Sequence, residues 1–131
     1  MTVARHRPSW RGLLHEEHGS TAAEFGLVVP AFAALTIGTF YLCAMMFTTT
    51  SLHFAAESAA RCRTVNTTVC TDATTTQTYA ATRYRGAGSP TFTATTPACG
   101  NQVVANLTYD LMYGLGTVSV PMSATACYPL S

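Results

Sequence analysis

The feature that most constrains this chain is a long uncharged segment: residues 25–52 contain no Asp, Glu, Lys or Arg. Residues 25–50 are mainly apolar, and about 20 apolar residues are enough for a helix to cross a bilayer. The segment is too long for the hydrophobic core of an ordinary secretory signal. We therefore predict a transmembrane helix over residues 20–50, in which Pro30 kinks the helix or loosens its first turns, as membrane helices tolerate.

The composition is unusual for a soluble domain and gives no sign of an enzyme. Charged residues make up 10% of the 131 residues, against roughly 25% in soluble domains, and the mean hydropathy is +0.21. A formal net charge of +1 gives no electrostatic basis for binding nucleic acid. The sequence contains neither a glycine-rich phosphate loop nor a carboxylate dyad, so no catalytic residue and no cofactor is predicted.

The charges on either side of the uncharged segment predict its orientation. Arg5, Arg7 and Arg11 precede it, and Arg61 and Arg63 are the nearest arginines after it. The positive-inside rule then places the N-terminus in the cytoplasm and the C-terminal part outside it.

The five cysteines divide unevenly along the chain. Cys62, Cys70, Cys99 and Cys127 follow the uncharged segment, which indicates two disulfides in an oxidising compartment. Zinc is the alternative, but the sequence contains no CxxC pair and its histidines lie elsewhere, so we predict no metal site. Four cysteines allow three connectivities, among which nearest-neighbour pairing is assumed. Cys43, inside the segment, is predicted to be a small apolar packing residue.

Helical spacing continues past the uncharged segment. Small apolar residues recur every three or four positions between Leu52 and Ala59, whereas Glu57 and Arg61 fall on the opposite face. We predict a single helix from about residue 21 to about residue 62, of which one part crosses lipid and the other forms a spine for a domain over residues 51–131.

The remaining residues predict a short helix and a small sheet. The helix is expected to have an N-cap at Thr71 or Asp72 and to stop at Gly86 or Gly88. Alternating residues predict half-buried strands in PTFTATT (90–96), QVVANLTYDLMY (102–113) and TVSVPMSATAC (117–127). The predicted fold class is α+β: a long transmembrane and spine helix, a short helix and a three-stranded antiparallel sheet, stapled by disulfides because the core is small.

A short motif lies directly before the uncharged segment. Gly19 is followed by STAA (20–23) and then by Glu24 and Phe25. This arrangement resembles the G-xxxx-E-F processing site of type IV pilins of the Flp/Tad class. The rest of the chain resembles the TadE-like minor pilins (TadE/TadG family) of tight-adherence systems. The segments that support this resemblance are AARC (59–62), NTTVC (66–70), ACGNQV (98–103) and CYP (127–129).

The resemblance implies a pathway and partners. A prepilin peptidase would cut between Gly19 and Ser20, so that residues 1–19 would be a cytoplasmic leader. Glu24 would become the fifth mature residue and pair with the N-terminal ammonium of a neighbouring subunit, and Glu24 and Phe25 would carry peptidase recognition and subunit registration. The implied partners are the peptidase, other pilins or pseudopilins, the pilus assembly machinery and the bacterial inner membrane. The implied role is structural, in Tad/Flp pilus assembly and surface adherence, with the C-terminal domain in the periplasm.

Two alternatives stay open at this point. A pseudopilin of a type II secretion system would act in protein export, but such pilins usually begin with phenylalanine, and Ser20 stands at that position. An uncleaved, single-pass, membrane-anchored binding protein would retain residues 1–19.

Overall fold

The computed structural model of the chain describes residues 18–112, 114 and 116–130. Its elements, in chain order, are α1 (His18–Val65), α2 (Ala73–Arg83), β1 (Thr91–Thr95), β2 (Asn101–Met112) and β3 (Thr117–Tyr128). The long helix, the short helix, the three-stranded antiparallel sheet and two disulfides are all present, which confirms the predicted fold class. The predicted leader lies outside the described residues except for its last two, His18 and Gly19.

The chain divides into two compact units, residues 1–40 and residues 41–131. The described part of the first unit is the beginning of α1, which stays helical through Pro30. A proline removes one backbone hydrogen bond, which a helix tolerates when its surroundings satisfy the freed carbonyl. The second unit contains the rest of α1, both disulfides, α2 and the sheet.

The α1 residues of the second unit pack through a face of small side chains. Leu52, Ala56 and Ala59 are fully buried in the core, whereas Phe54 on the other side of the helix is 57% exposed. The stripe predicted from helical spacing is therefore confirmed. Small side chains let the other elements approach the helix closely, but each of them removes little apolar area from water.

The sheet is an antiparallel meander in the order β1-β2-β3. β2 pairs with β3 along its whole length, whereas β1 pairs only with the segment Gln102–Asn106. Val103 and Ala105 are fully buried, whereas Val104 and Asn106 are not, so the predicted alternation of β2 is confirmed in this first half.

The far end of the β2–β3 hairpin extends past β1. Leu111 is half-buried and its partner Val118 is 48% exposed, although the sequence pattern places both on the inward face. Along β2 the buried cluster ends at Leu107, so the core ends before the strands do. The alternation predicts which face points inward but not how far the core reaches.

α2 begins at a predicted N-cap and ends earlier than predicted. The Asp72 carboxylate accepts from the backbone N–H of Thr75 (2.8 Å), and the Thr75 hydroxyl accepts from the N–H of Asp72 (3.0 Å). The bond from the Thr75 backbone, followed by that from its hydroxyl, lowers the pKa of Asp72 because both favour the charged form. The predicted stop at Gly86 or Gly88 is wrong, since the backbone is already extended at Tyr84.

The core is small, and two disulfides link chain segments next to it. Seven of the ten residues in the buried cluster are alanines, so the hydrophobic contribution of each is low. The disulfide Cys62–Cys70 joins the last turn of α1 to the loop before α2. The disulfide Cys99–Cys127 joins the turn before β2 to the end of β3. Both are nearest-neighbour pairs.

The start of β2 is held by a glycine and a buried amide. Gly100 has φ 121°, and a Cβ there would lie 2.2 Å from the carbonyl oxygen of Tyr128, so another residue would strain the turn and clash. The side-chain amide of Asn101, which is 5% exposed, donates to the Thr64 hydroxyl near the end of α1 (2.9 Å). A buried amide without a partner is costly, so this bond fixes β2 against α1.

Candidate processing and assembly site

The predicted cleavage site lies among the first described residues of α1. The structure describes α1 from His18 onward, and Gly19 and Ser20 are helical.

Glu24 and Phe25 follow about one turn later and face outward. Glu24 is exposed, and Phe25 is 72% exposed. The sequence contains no Lys or Arg between Arg11 and Arg61, so α1 offers Glu24 no arginine or lysine at the helical spacing that would allow an ion pair. A group that neutralises this carboxylate has to come from elsewhere in the chain or from a partner.

The α1 residues of the first unit present apolar side chains on all sides. The large ones are between 43% and 78% exposed: Phe25, Leu27, Val28, Val29, Phe32, Leu35, Ile37 and Phe40. The hydroxyls of Thr36 and Thr39 donate to carbonyls one turn back on the same helix, at 2.6 and 2.8 Å, so neither needs water. A helix that is apolar all round is stable when lipid or other helices surround it.

Two further observations fit such surroundings. Within the described residues, one helix is long and apolar enough to span a membrane, and it covers Ala22–Val65. Gly26 and Gly38 have no described atom within 4 Å of where a Cβ would stand. The helix therefore offers two places where another helix could approach its backbone closely.

Comparison with known protein families identifies the part of the chain that contains this site. Residues 19–61 match the family model described as TadE-like protein. This segment of the chain is TadE-like. The resemblance predicted from the sequence is thus confirmed for this segment. Searches of curated proteins and of solved structures found no match.

The TadE-like segment begins at the predicted cleavage glycine and ends inside α1, at Arg61. It therefore includes all four residues of the predicted processing and registration site: Gly19, Ser20, Glu24 and Phe25. The structure places these four on the first two turns of α1. The sheet and α2 lie after the matched segment.

A pair of buried hydroxyls in the TadE-like segment is not predicted by the sequence pattern. Thr48 and Ser51 are 1% and 8% exposed, and their hydroxyl oxygens accept from the backbone N–H groups of Ala87 (3.4 Å) and Arg85 (2.7 Å). These hydrogen bonds hold the loop after α2 on α1, which explains why α2 ends before its glycines. The only signal in the sequence is TTTS at 48–51, which also fits the polar edge of a membrane span.

The cysteines that could have formed a zinc site are used in disulfides. In the part of the chain that the structure describes, no group of three or more His, Cys, Asp or Glu residues is placed to hold a metal ion. Cys43 is a free, exposed thiol on the TadE-like segment, so its role as a small apolar packing residue stays a prediction. Any packing of Cys43 has to be against lipid or a partner.

Proposed function

We propose that the chain is the precursor of a TadE-like minor pilin, or pseudopilin, which a prepilin peptidase cleaves after Gly19 and which then takes part in Tad/Flp pilus assembly and surface adherence. One observation carries the proposal: Gly19, the STAA segment (20–23) and the Glu24–Phe25 pair lie on α1 directly before its uncharged, exposed apolar part, inside the TadE-like segment. The role is structural and involves no chemistry by the chain itself.

In this proposal the chain is a single-pass protein of the bacterial inner membrane. The apolar surface of α1 between Phe25 and Phe40 supports insertion into lipid. Three arginines before the helix support a cytoplasmic N-terminus. The two disulfides of the second unit support an oxidising compartment, the periplasm, on the other side.

Cleavage would create a positively charged group that can pair with the Glu24 carboxylate of a neighbouring subunit. Hydrolysis after Gly19 leaves a free α-amino group on Ser20, and such groups are largely protonated at neutral pH because their pKa is about 7.7–8.0. A carboxylate near the hydrocarbon boundary costs a few kcal/mol when it has no partner. Opposite charges 4 Å apart attract each other by about 4 kcal/mol at an effective dielectric near 20, before the cost of desolvation. A subunit would therefore be favoured to leave lipid for a bundle in which a neighbour's ammonium meets Glu24.

Replacing Glu24 with alanine should reduce incorporation of the subunit into assemblies with other pilus components. Loss of about 1.4 kcal/mol of pairing free energy corresponds to roughly tenfold weaker association. The measurement is crosslinking and co-purification with the other pilins, from membranes of cells that carry a Tad system. Glu24→Gln separates the loss of charge from the loss of side-chain volume.

The matched control is Glu57→Ala, because Glu57 is also an exposed carboxylate on α1 but belongs to the second unit. Its incorporation should equal that of the unmodified chain. If the Glu24→Ala chain were processed and incorporated as well as the Glu57→Ala chain, the pairing role of Glu24 would be wrong.

A further inference from the structure

The tip of the β2–β3 hairpin lies beside α1. The tip is defined here by Leu111, Met112 and Val118. The Tyr41 hydroxyl donates to the carbonyl oxygen of Met112 (2.9 Å), and Tyr41 lines a small apolar groove together with the three tip residues. The level of the tip along α1 is therefore that of Tyr41.

Tyr41 belongs to the uncharged segment that the proposal places in the membrane. Counted from Phe25, the roughly 20 residues needed to cross a bilayer reach about residue 44, so residue 41 falls near the end of that stretch. Tyrosine is enriched at this depth, where its ring contacts apolar groups and its hydroxyl finds a polar partner. The Met112 carbonyl is such a partner.

The tip exposes large apolar side chains at this level. Met112 is 71% exposed and Val118 is 48% exposed, and Leu42 and Met46 on α1 are 60% and 71% exposed. Residues 111–120 include no charged residue. An exposed apolar hairpin end is unfavourable in water, and proteins normally cover or charge such ends.

We propose that the hairpin tip inserts into the leaflet on the side of the second unit, so that the unit contacts the bilayer through the tip as well as through α1. The occupant of this apolar surface is lipid, because the tip is continuous with the exposed apolar residues of the helix that carries Tyr41. The inference rests on the membrane anchoring in the proposed function but not on cleavage after Gly19.

Two features keep the insertion shallow. Asp110 lies two residues from Met112, and its carboxylate, which accepts from the Ser119 hydroxyl (2.5 Å), is costly to move into hydrocarbon. Beyond Asn106, β2 has no β1 residue beside it, so the backbone groups on that edge need water or headgroups as partners. The tip side chains therefore reach the acyl-chain boundary while the strands stay in the headgroup region.

Fluorescence quenching by nitroxide lipids tests this placement in the full, oxidised chain. An environment-sensitive fluorophore is attached to Met112→Cys in a Cys43→Ala background, and the chain is reconstituted in vesicles of phosphatidylethanolamine and phosphatidylglycerol. Val118→Cys provides a second tip position if the first variant folds poorly. Thr93→Cys, which places the fluorophore on an exposed residue of β1, is the matched control. The unmodified chain labelled at Cys43 reports anchoring itself.

The expected result is quenching at residues 112 and 118 by nitroxides near the headgroups, with blue-shifted emission, and no quenching at residue 93. Tip fluorophores that are as accessible to aqueous iodide as the one at residue 93, while Cys43 is quenched by lipid, would overturn the insertion but leave the anchoring intact. Tip fluorophores shielded from both lipid and iodide would indicate a protein contact and also overturn it. Absence of lipid quenching at Cys43 would contradict the anchoring as well.

Discussion

Replacement of both Cys99 and Cys127 by alanine is expected to lower the free energy of unfolding of the second unit by about 3.6 kcal/mol, the loop-entropy value for a disulfide whose cysteines are 28 positions apart. The reason is that this bond closes the longer of the two disulfide loops and so restricts the unfolded chain more than Cys62–Cys70 does. The core that remains consists mainly of alanines, which provide little compensating burial. Guanidinium unfolding of the full chain in detergent micelles, followed by near-UV circular dichroism, measures the change.

The other disulfide is the matched comparison. Replacing Cys62 and Cys70 removes a bond whose cysteines are only 8 positions apart, for which the same estimate gives about 2.6 kcal/mol. The Cys99–Cys127 pair should therefore be the more costly one to lose. Equal stability of all three chains would show that the disulfides do not stabilise the unit.

The second large effect is expected from Leu52→Ala. Leu52 is fully buried and is a member of the core cluster with Val103. Removing a buried leucine side chain costs about 2–5 kcal/mol, with larger values where the surroundings cannot close the cavity. The neighbours on α1, Ala56 and Ala59, are too short to fill it, so the upper half of that range is expected. The same unfolding measurement gives the value.

Leu42→Ala is the control for this substitution. Leu42 lies on the same helix and in the same unit but is 60% exposed. Its replacement leaves no cavity, and the change should stay within about 0.5 kcal/mol. Comparable losses for the two variants would mean that Leu52 does not occupy the core position described here.

The features that the sequence predicted correctly are set by neighbouring residues. The buried stripe of α1 follows from the three- and four-residue spacing of Leu52, Ala56 and Ala59, and the inward face of β2 follows from the alternation around Val103. Asp72 caps α2 through a hydrogen bond to a residue only three positions away. Each of these signals lies within a few residues of the structure it determines.

The features that the sequence did not predict depend on contacts between distant segments. The backbone N–H of Arg85 donates to the hydroxyl of Ser51, 34 positions earlier in the chain. This contact leaves no periodic pattern in the sequence, and it ends α2 earlier than its glycines predict. The Tyr41 hydroxyl and the Met112 carbonyl are 71 positions apart. Contacts of single polar groups with the backbone of a remote loop leave no pattern in the residues around them.

The candidate processing site, unlike these long-range contacts, is defined by residues that are close together in the sequence. Gly19, Ser20, Glu24 and Phe25 are adjacent in sequence, so the motif alone locates them, and the TadE-like segment covers them all. The fold contributes their position at the start of an apolar helix. Their proposed action involves an enzyme and a neighbouring subunit, which lie outside the chain.

Intact-mass spectrometry of the chain purified from membranes, with and without a co-expressed prepilin peptidase, tests the central claim most directly. A pilin known to be cleaved in the same cells verifies that the peptidase is active. The proposed function predicts a mature chain that begins at Ser20 when the peptidase is present, and a full-length chain when Gly19→Lys blocks the site. A chain that still begins at Met1 or Thr2 beside the active peptidase would contradict the claim and favour an uncleaved membrane-anchored protein.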